Sequence, residues 1–290
     1  MSSPDERRVR TVFDIYTEPG VEWQVRFLGT HLHPGFEEAT AALASRAAHY
    51  GFSEGGVILD LASALGGPAR FLARRFAATV ICIDLNPRMH AALTSAARAE
   101  GLTLSCLPIR ARTEQLPLAP ASCDGAWSQD ALCHMDKPAV LGEVARVLRP
   151  DALFAFTDFI ARSGLKGEDA EALARDWAFP SLLRLPQYTA LLDAHGFEVL
   201  CAEDRTRIVV AQYPQVRARD QERWEADFAA RHGEAERQRQ RALGQLWLTL
   251  LRAERVGYGM FVGRRRSQSY PARAIGPHRE STAEASQGGR

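Results

Sequence analysis

The feature that most constrains this chain is the stretch 57–76, VILDLASALGGPARFLARRF. A short apolar run, Val57-Ile58-Leu59-Asp60-Leu61, passes through Ala62-Ser63-Ala64-Leu65-Gly66-Gly67 to Pro68. Apolar residues then fall at Phe71, Leu72 and Phe76. This pattern predicts strand, tight turn and helix, with Pro in the first helical turn, where its missing N–H breaks no hydrogen bond. In a doubly wound sheet, such a turn aims backbone N–H groups at a ligand above the strand ends.

Strand-like apolar stretches recur at 79–84, 102–107, 123–127, 152–158, 197–202 and 256–262. Segments with helical character lie between them, at 37–50, 87–100, 137–148, 168–178 and 186–195. Alternation of this kind predicts an α/β fold, a seven-stranded, mostly parallel, doubly wound sheet covered on both faces. Residues 1–10 are polar and expected to be loose, and 11–36 are aromatic-rich and read as irregular. The expected organisation is an N-terminal cap and substrate cover over 1–50, then a main domain over 51–264. A helical insertion is expected at about 203–255, and a disordered tail at 265–290.

The second strand ends at Asp84, eighteen residues past Gly66, and an acid there can take both hydroxyls of a ribose. Asp84 and Asn86 also precede a helix beginning at Pro87, so one of them can cap while the other binds. The turn lacks the G-x-G-x-x-G of a dinucleotide site. Asp60 suits an ammonium group and would repel pyrophosphate, which points to S-adenosylmethionine.

The segment from Asp60 through Gly66-Gly67 to Arg70 resembles the first motif of class I S-adenosylmethionine-dependent methyltransferases. Trp127-Ser-Gln-Asp-Ala-Leu-Cys-His134 and Glu143-Val-Ala-Arg-Val-Leu-Arg-Pro150 resemble the sarcosine/dimethylglycine N-methyltransferase branch, as does Gly29-Thr-His-Leu-His33-Pro-Gly35. The resemblance implies a Rossmann-like fold. It implies that Asp60, Ala62, Ser63 and Gly66 hold the methionine part of the cofactor, together with Ser128 and Gln129. Asp84 would hold the ribose, Leu85 and Met89 would face the adenine, and Arg112 and Thr113 would sit at its edge. His33, Asp130 and His134 would face the acceptor. The family turn usually carries glycine where this chain has Ala62 and Ala64, and Ala at positive φ costs about 1 kcal/mol or more.

His134 is the candidate base for an acceptor that must lose a proton. Asp130 can bind a cationic amine or cap a helix, and Phe13, Tyr16 and Trp23 can wall a pocket or pack in a core. His31 and His33 have no carboxylate or Cys at ligand spacing, so no metal is expected. The expected activity is methyl transfer from S-adenosylmethionine to a small molecule, with an amine suggested by the resemblance. The alternatives are an S-adenosylmethionine-binding enzyme of specialised metabolism with O- or C-methylation or non-methylating chemistry, and a degenerate binding subunit. A net charge of +1 gives no nucleic-acid or membrane footprint. The five scattered cysteines suit reduced thiols in a cytoplasmic protein.

Overall fold

A computed structural model of the chain describes residues 4–52, 54–212 and 221–267. Two helices come first, α1 (Pro4–Ile15) and α2 (Glu18–Leu28), followed by α3 (Phe36–His49). The sheet begins with β1 (Val57–Leu61), α4 (Gly67–Arg75), β2 (Thr79–Asp84), α5 (Pro87–Ala99) and β3 (Cys106–Arg110). It continues with β4 (Cys123–Gln129), α6 (Lys137–Val147), β5 (Leu148–Ala161), α7 (Gly167–Asp176), α8 (Leu185–Ala194) and β6 (Phe197–Asp204). The chain then runs through α9 (Thr206–Gln212), α10 (Gln221–His232), α11 (Glu234–Arg252) and β7 (Val256–Arg265).

The seven strands pair in the order β3-β2-β1-β4-β5-β7-β6. The first five are parallel, and β7 runs antiparallel to both β5 and β6. Strand order reverses between β1 and β4, which opens a crevice at their carboxyl ends. Register brings the ends together: Leu61 pairs with Ile83 on one side and with Ser128 on the other. The strands bury both faces, so period two divides their residues between two cores. Ile58, Val80 and Trp127 meet α3, α4 and α5, while Leu59, Leu61 and Phe156 meet α6 and α8. A third cluster, built on Leu173, Phe179, Trp247 and Tyr258, joins α7 and α11 to the far end of β7.

Several local expectations need correcting. The amino-terminal residues described are helical rather than loose or irregular. In α2 the hydroxyl of Thr17 accepts from the Gly20 N–H at 3.4 Å, Pro19 lies in the first turn, and Gly29 ends the helix. The third strand starts at Cys106 instead of 102, because a turn intervenes in which Ser105 N–H donates to the Leu102 carbonyl at 2.9 Å. Leu104 projects to solvent from that turn at 87% exposure, so its apolar character misled the reading. β5 runs longer than expected at both ends, and its first residue already pairs with Cys123. The expected disorder falls largely on 268–290, which lie outside the described residues, as does 213–220 of the helical insertion. No helix among the described residues is long and apolar enough to cross a membrane.

Candidate active site

The chain leaves β1 through a left-handed bend. Ala62 sits at φ 53°, Ala64 at 45° and Gly66 at 72°. Glycine takes these angles freely, but each alanine carries about 1 kcal/mol of strain. Hydrogen bonds hold the bend in place. Ser63 N–H donates to the Ile83 carbonyl at 2.9 Å, and Gly66 N–H to the Ser63 carbonyl at 2.8 Å. Ala64 N–H donates to Asp84 Oδ2 at 2.9 Å. A Cβ on Gly66 would lie 2.5 Å from Leu93, so α4 and α5 can approach here only over glycine.

The other oxygen of Asp84 accepts from Asn86 N–H at 2.8 Å. Asn86 Oδ1 in turn accepts from Arg88 N–H at 3.0 Å and caps α5. The division of labour is therefore settled: Asn86 caps, and Asp84 ties the two strand-end loops together. Burial raises the Asp84 carboxyl above its ordinary range, while the Asn86 and Ala64 N–H groups work against that rise.

The opposite rim comes from β4. Gln129 Oε1 accepts from Trp127 Nε1 at 3.0 Å and from the Thr40 hydroxyl at 3.0 Å. With its proton committed there, Thr40 accepts from His33 Nε2 at 3.0 Å. Burial holds the His33 imidazole neutral, down to about 3. His33 therefore stands behind Gln129 and does not line the crevice, contrary to its expected place against the acceptor. Asp130 has φ 55°, its Oδ1 accepts from the Thr157 hydroxyl at 2.8 Å, and Tyr258 donates to that hydroxyl at 2.9 Å. Burial pushes the Asp130 carboxyl up to about 8, with the hydroxyls of Tyr258 and Thr157 opposing and the Asp158 carboxylate adding to it. His134 is buried, which pushes its imidazole down to about 4. Its Nε2 lies 3.4 Å from the Tyr16 hydroxyl, and its carbonyl accepts from Arg8 at 2.6 Å.

These elements enclose a crevice of about 160 Å³. Asp60, Ala62, Ser63, Asp84, Leu85 and Met89 line one half, and Arg112, Thr113, Gln129, Asp130 and His134 the other. Gly66 shapes the turn without lining it, and Ser128 is buried beneath it. Arg8, Val9, Val12, Phe13 and Tyr16 of the first helix and the loop after it close the top. Sequence reasoning missed Arg8 and Glu114, which pair at 2.9 Å, and nothing in a polar leader signalled that link. Among the described residues, nine buried side-chain polar atoms have no hydrogen-bond partner. Six belong to residues lining this crevice: Asp60 Oδ2, Ser63 Oγ, Gln129 Nε2, Asp130 Oδ2, His31 Nε2 and His134 Nδ1. Orphaned polar atoms are costly inside a protein, so their concentration here points to a polar ligand.

Residues 59–156 match a family model described as a methyltransferase domain. The chain is 31% identical over 204 residues to dimethylglycine N-methyltransferase from Parasynechococcus marenigrum (strain WH8102), covering 65% of this chain and 71% of that protein. This chain belongs to the class I S-adenosylmethionine-dependent methyltransferases. As a methyltransferase it also shares 30% identity over 150 residues with 24-methylenesterol C-methyltransferase 2 of Oryza sativa subsp. japonica, covering 49% of this chain and 41% of that one. In architecture it is similar to Haemonchus contortus phosphoethanolamine N-methyltransferase 2 solved with S-adenosyl-L-methionine, with a TM-score of 0.77 and 20% identity over 92% of this chain and 60% of that one. The methyltransferase fold therefore extends well beyond the matched domain, into the helices that flank the crevice.

Proposed function

We propose that the crevice binds S-adenosylmethionine and presents its methyl group to an amine held against Asp130. The observation that carries this reading is the pair of buried carboxylates, Asp60 and Asp130, each with an unpartnered oxygen on a residue lining the same small crevice. Burial raises the Asp60 carboxyl well above its ordinary range, a state that an ammonium partner relieves. The donor set fits the cofactor. Asp60 suits the ammonium of its methionine part, Ser63 Oγ and Gln129 Nε2 suit the carboxylate, and Asp84 suits the ribose. Leu85 and Met89 suit the adenine face, with Arg112 and Thr113 at its edge.

When bound, the cofactor would supply an electrophilic methyl carried on a sulfonium, with a neutral thioether as the leaving group. The chain's part is chiefly to align and to exclude water. Asp130, braced by Thr157 and Tyr258, holds the acceptor nitrogen and, when ionised, can take the proton that an ammonium must lose before its nitrogen attacks. His134, neutral near pH 7, suits a hydrogen-bonding role beside it, and its low basicity argues against long retention of a proton. His33 acts through Thr40 to fix Gln129, as a positioning residue. The domain reading follows: 1–50 serve as cover, supported by the first helix over the crevice, and 51–264 as the methyltransferase domain. A cytoplasmic location is supported by five buried cysteines, all free.

Calorimetry with S-adenosylmethionine tests the first half of the proposal, and heat at micromolar ligand is expected. Transfer of labelled methyl to a panel of primary and secondary amines tests the second half. Silence at high micromolar cofactor would remove the reading, and label found only on hydroxyl acceptors would overturn the amine.

A further inference from the structure

A second cavity, of about 720 Å³, lies between α2, the start of α3 and the α10–α11 pair. Trp23, Phe27, Phe36, Trp177 and Trp247 give it an aromatic lining. Its size falls within the range of about 300–1,000 Å³ common for pockets that hold drug-sized ligands. The buried acid in its wall is compensated: Glu225 meets Arg237 at 3.1 Å and Arg241 at 3.4 Å. One donor is not compensated, because Trp177 Nε1 is buried without a partner. Gly244 stands inside the 19-residue α11 and lines the cavity, and a Cβ there would meet nothing within 4 Å. Glycine inside a helix costs about 1 kcal/mol relative to alanine, so at this point the wall gives up stability and leaves the volume open.

One aromatic layer separates this cavity from the crevice. The ring of Phe179 lies 4.9 Å from His134, which lines the crevice, and 6.1 Å from Trp177, which lines the cavity. The cofactor takes up the crevice, so the body of an acceptor has to lie outside it. Asp60, Asp84, Glu114 and Asp130 line it, and both guanidinium groups there, Arg8 and Arg112, lie against Glu114 at 2.9 and 3.7 Å.

We propose that the second cavity takes the body of the acceptor, an amine on a long hydrocarbon frame, whose nitrogen reaches past Phe179 to Asp130. This rests on the reading that the crevice methylates an amine, and it adds the class of amine. Apolar area carries the affinity at about 0.8 kcal/mol per buried CH₂, and the unpartnered Trp177 N–H favours a frame bearing an oxygen acceptor.

The test is calorimetric titration of the full chain, without cofactor, by N-methylpropylamine and by N-methyldodecylamine below its micellar range. The long amine is expected to bind at least tenfold tighter. Gly244→Phe should remove that advantage by filling the cavity. Its Tm should not fall, because the new side chain enters open space and replaces a helical glycine. Equal affinity for the two amines in the wild-type chain would overturn the proposal. So would a long-chain advantage that survives in a folded Gly244→Phe variant. Because the titration needs no cofactor, it separates from the functional reading. A chain-length preference without methyl transfer to either amine would refute the amine reading of the crevice and leave the cavity's preference standing, and transfer without the preference would refute this cavity's role alone.

Discussion

The two cavities lie on either side of Phe179, whose ring neighbours His134 in one wall and Trp177 in the other, and they are built by opposite means. The crevice of about 160 Å³ is walled by strand ends and a hydrogen-bonded turn, with two alanines held at positive φ and polar atoms left unpartnered. The cavity of about 720 Å³ is walled mainly by helix faces, with aromatic rings and compensated charge. Strand-end geometry dictates what the first can hold, because its ligands must satisfy fixed carboxylate, hydroxyl and amide positions. Side-chain volume dictates what the second can hold, so it can change by substitution without disturbing the sheet. Chemistry and acceptor choice are thus carried by different physics in adjacent spaces.

The sharpest way to break that division is Asp130→Asn. The amide still accepts from Thr157, so the fold should persist, but the charge that the carboxyl carries above about pH 8 is lost. At pH 9, loss of a buried charge-assisted hydrogen bond to the acceptor should lower kcat/KM for an amine by about a hundredfold, or about 2.7 kcal/mol. Steady-state kinetics with labelled methyl measure it. An unchanged rate would show that the crevice does not hold the acceptor by charge.

Asp84→Ala comes next, acting on the crevice alone. It removes both the brace on Ala64 N–H and the proposed ribose contact. Cofactor affinity should fall by more than tenfold by calorimetry, while long-amine affinity in the second cavity should not change. Equal losses of both would mean that the two spaces form one site.

The strand-end half of this arrangement was legible in the sequence because its signals are local. A strand, small residues and Pro68 fixed the turn, and Asp84 stood at the end of the next strand. Eleven expected site residues line the crevice, since short spacing along two adjacent strands leaves their side chains few places to go. His33 was misplaced because its role depends on Thr40 and Gln129, residues 7 and 89 positions from their respective partners. The larger cavity was barely legible: of its lining only Trp23 stood out as a residue that can wall a pocket. Its walls join α2 to α10 through the Trp23–Trp224 and Trp23–Phe228 ring contacts, and tertiary packing of that range leaves no periodic trace.

A pH experiment sharpens the contrast through stability. The Asp130 carboxyl titrates at about 8 in the folded chain, against 3.8 as its ordinary value. The folded state therefore keeps a proton that the unfolded state releases. Its contribution to stability is fully present below about 4 and is lost as pH rises through about 8. Asp130→Asn has no such proton, so its Tm should drop by several degrees less than that of the wild type between pH 5 and pH 9. The same substitution that disables transfer should thus favour folding at alkaline pH. Parallel Tm curves for the two proteins would show that burial does not govern this carboxyl.

The smallest effects belong to the turn itself. Ala62→Gly and Ala64→Gly relieve residues held at φ 53° and 45°. Relief of the left-handed strain is worth about 1 kcal/mol at each site, offset in part by the greater freedom glycine gives the unfolded chain. A rise in Tm of about 2 °C per substitution is therefore expected. Both alanines line the crevice, so removing their methyl groups should also tighten cofactor binding severalfold and leave the second cavity untouched. A cofactor affinity that falls in either glycine variant would mean that the methyl groups form part of the fit, and that the turn in this chain has adapted to alanine instead of tolerating it.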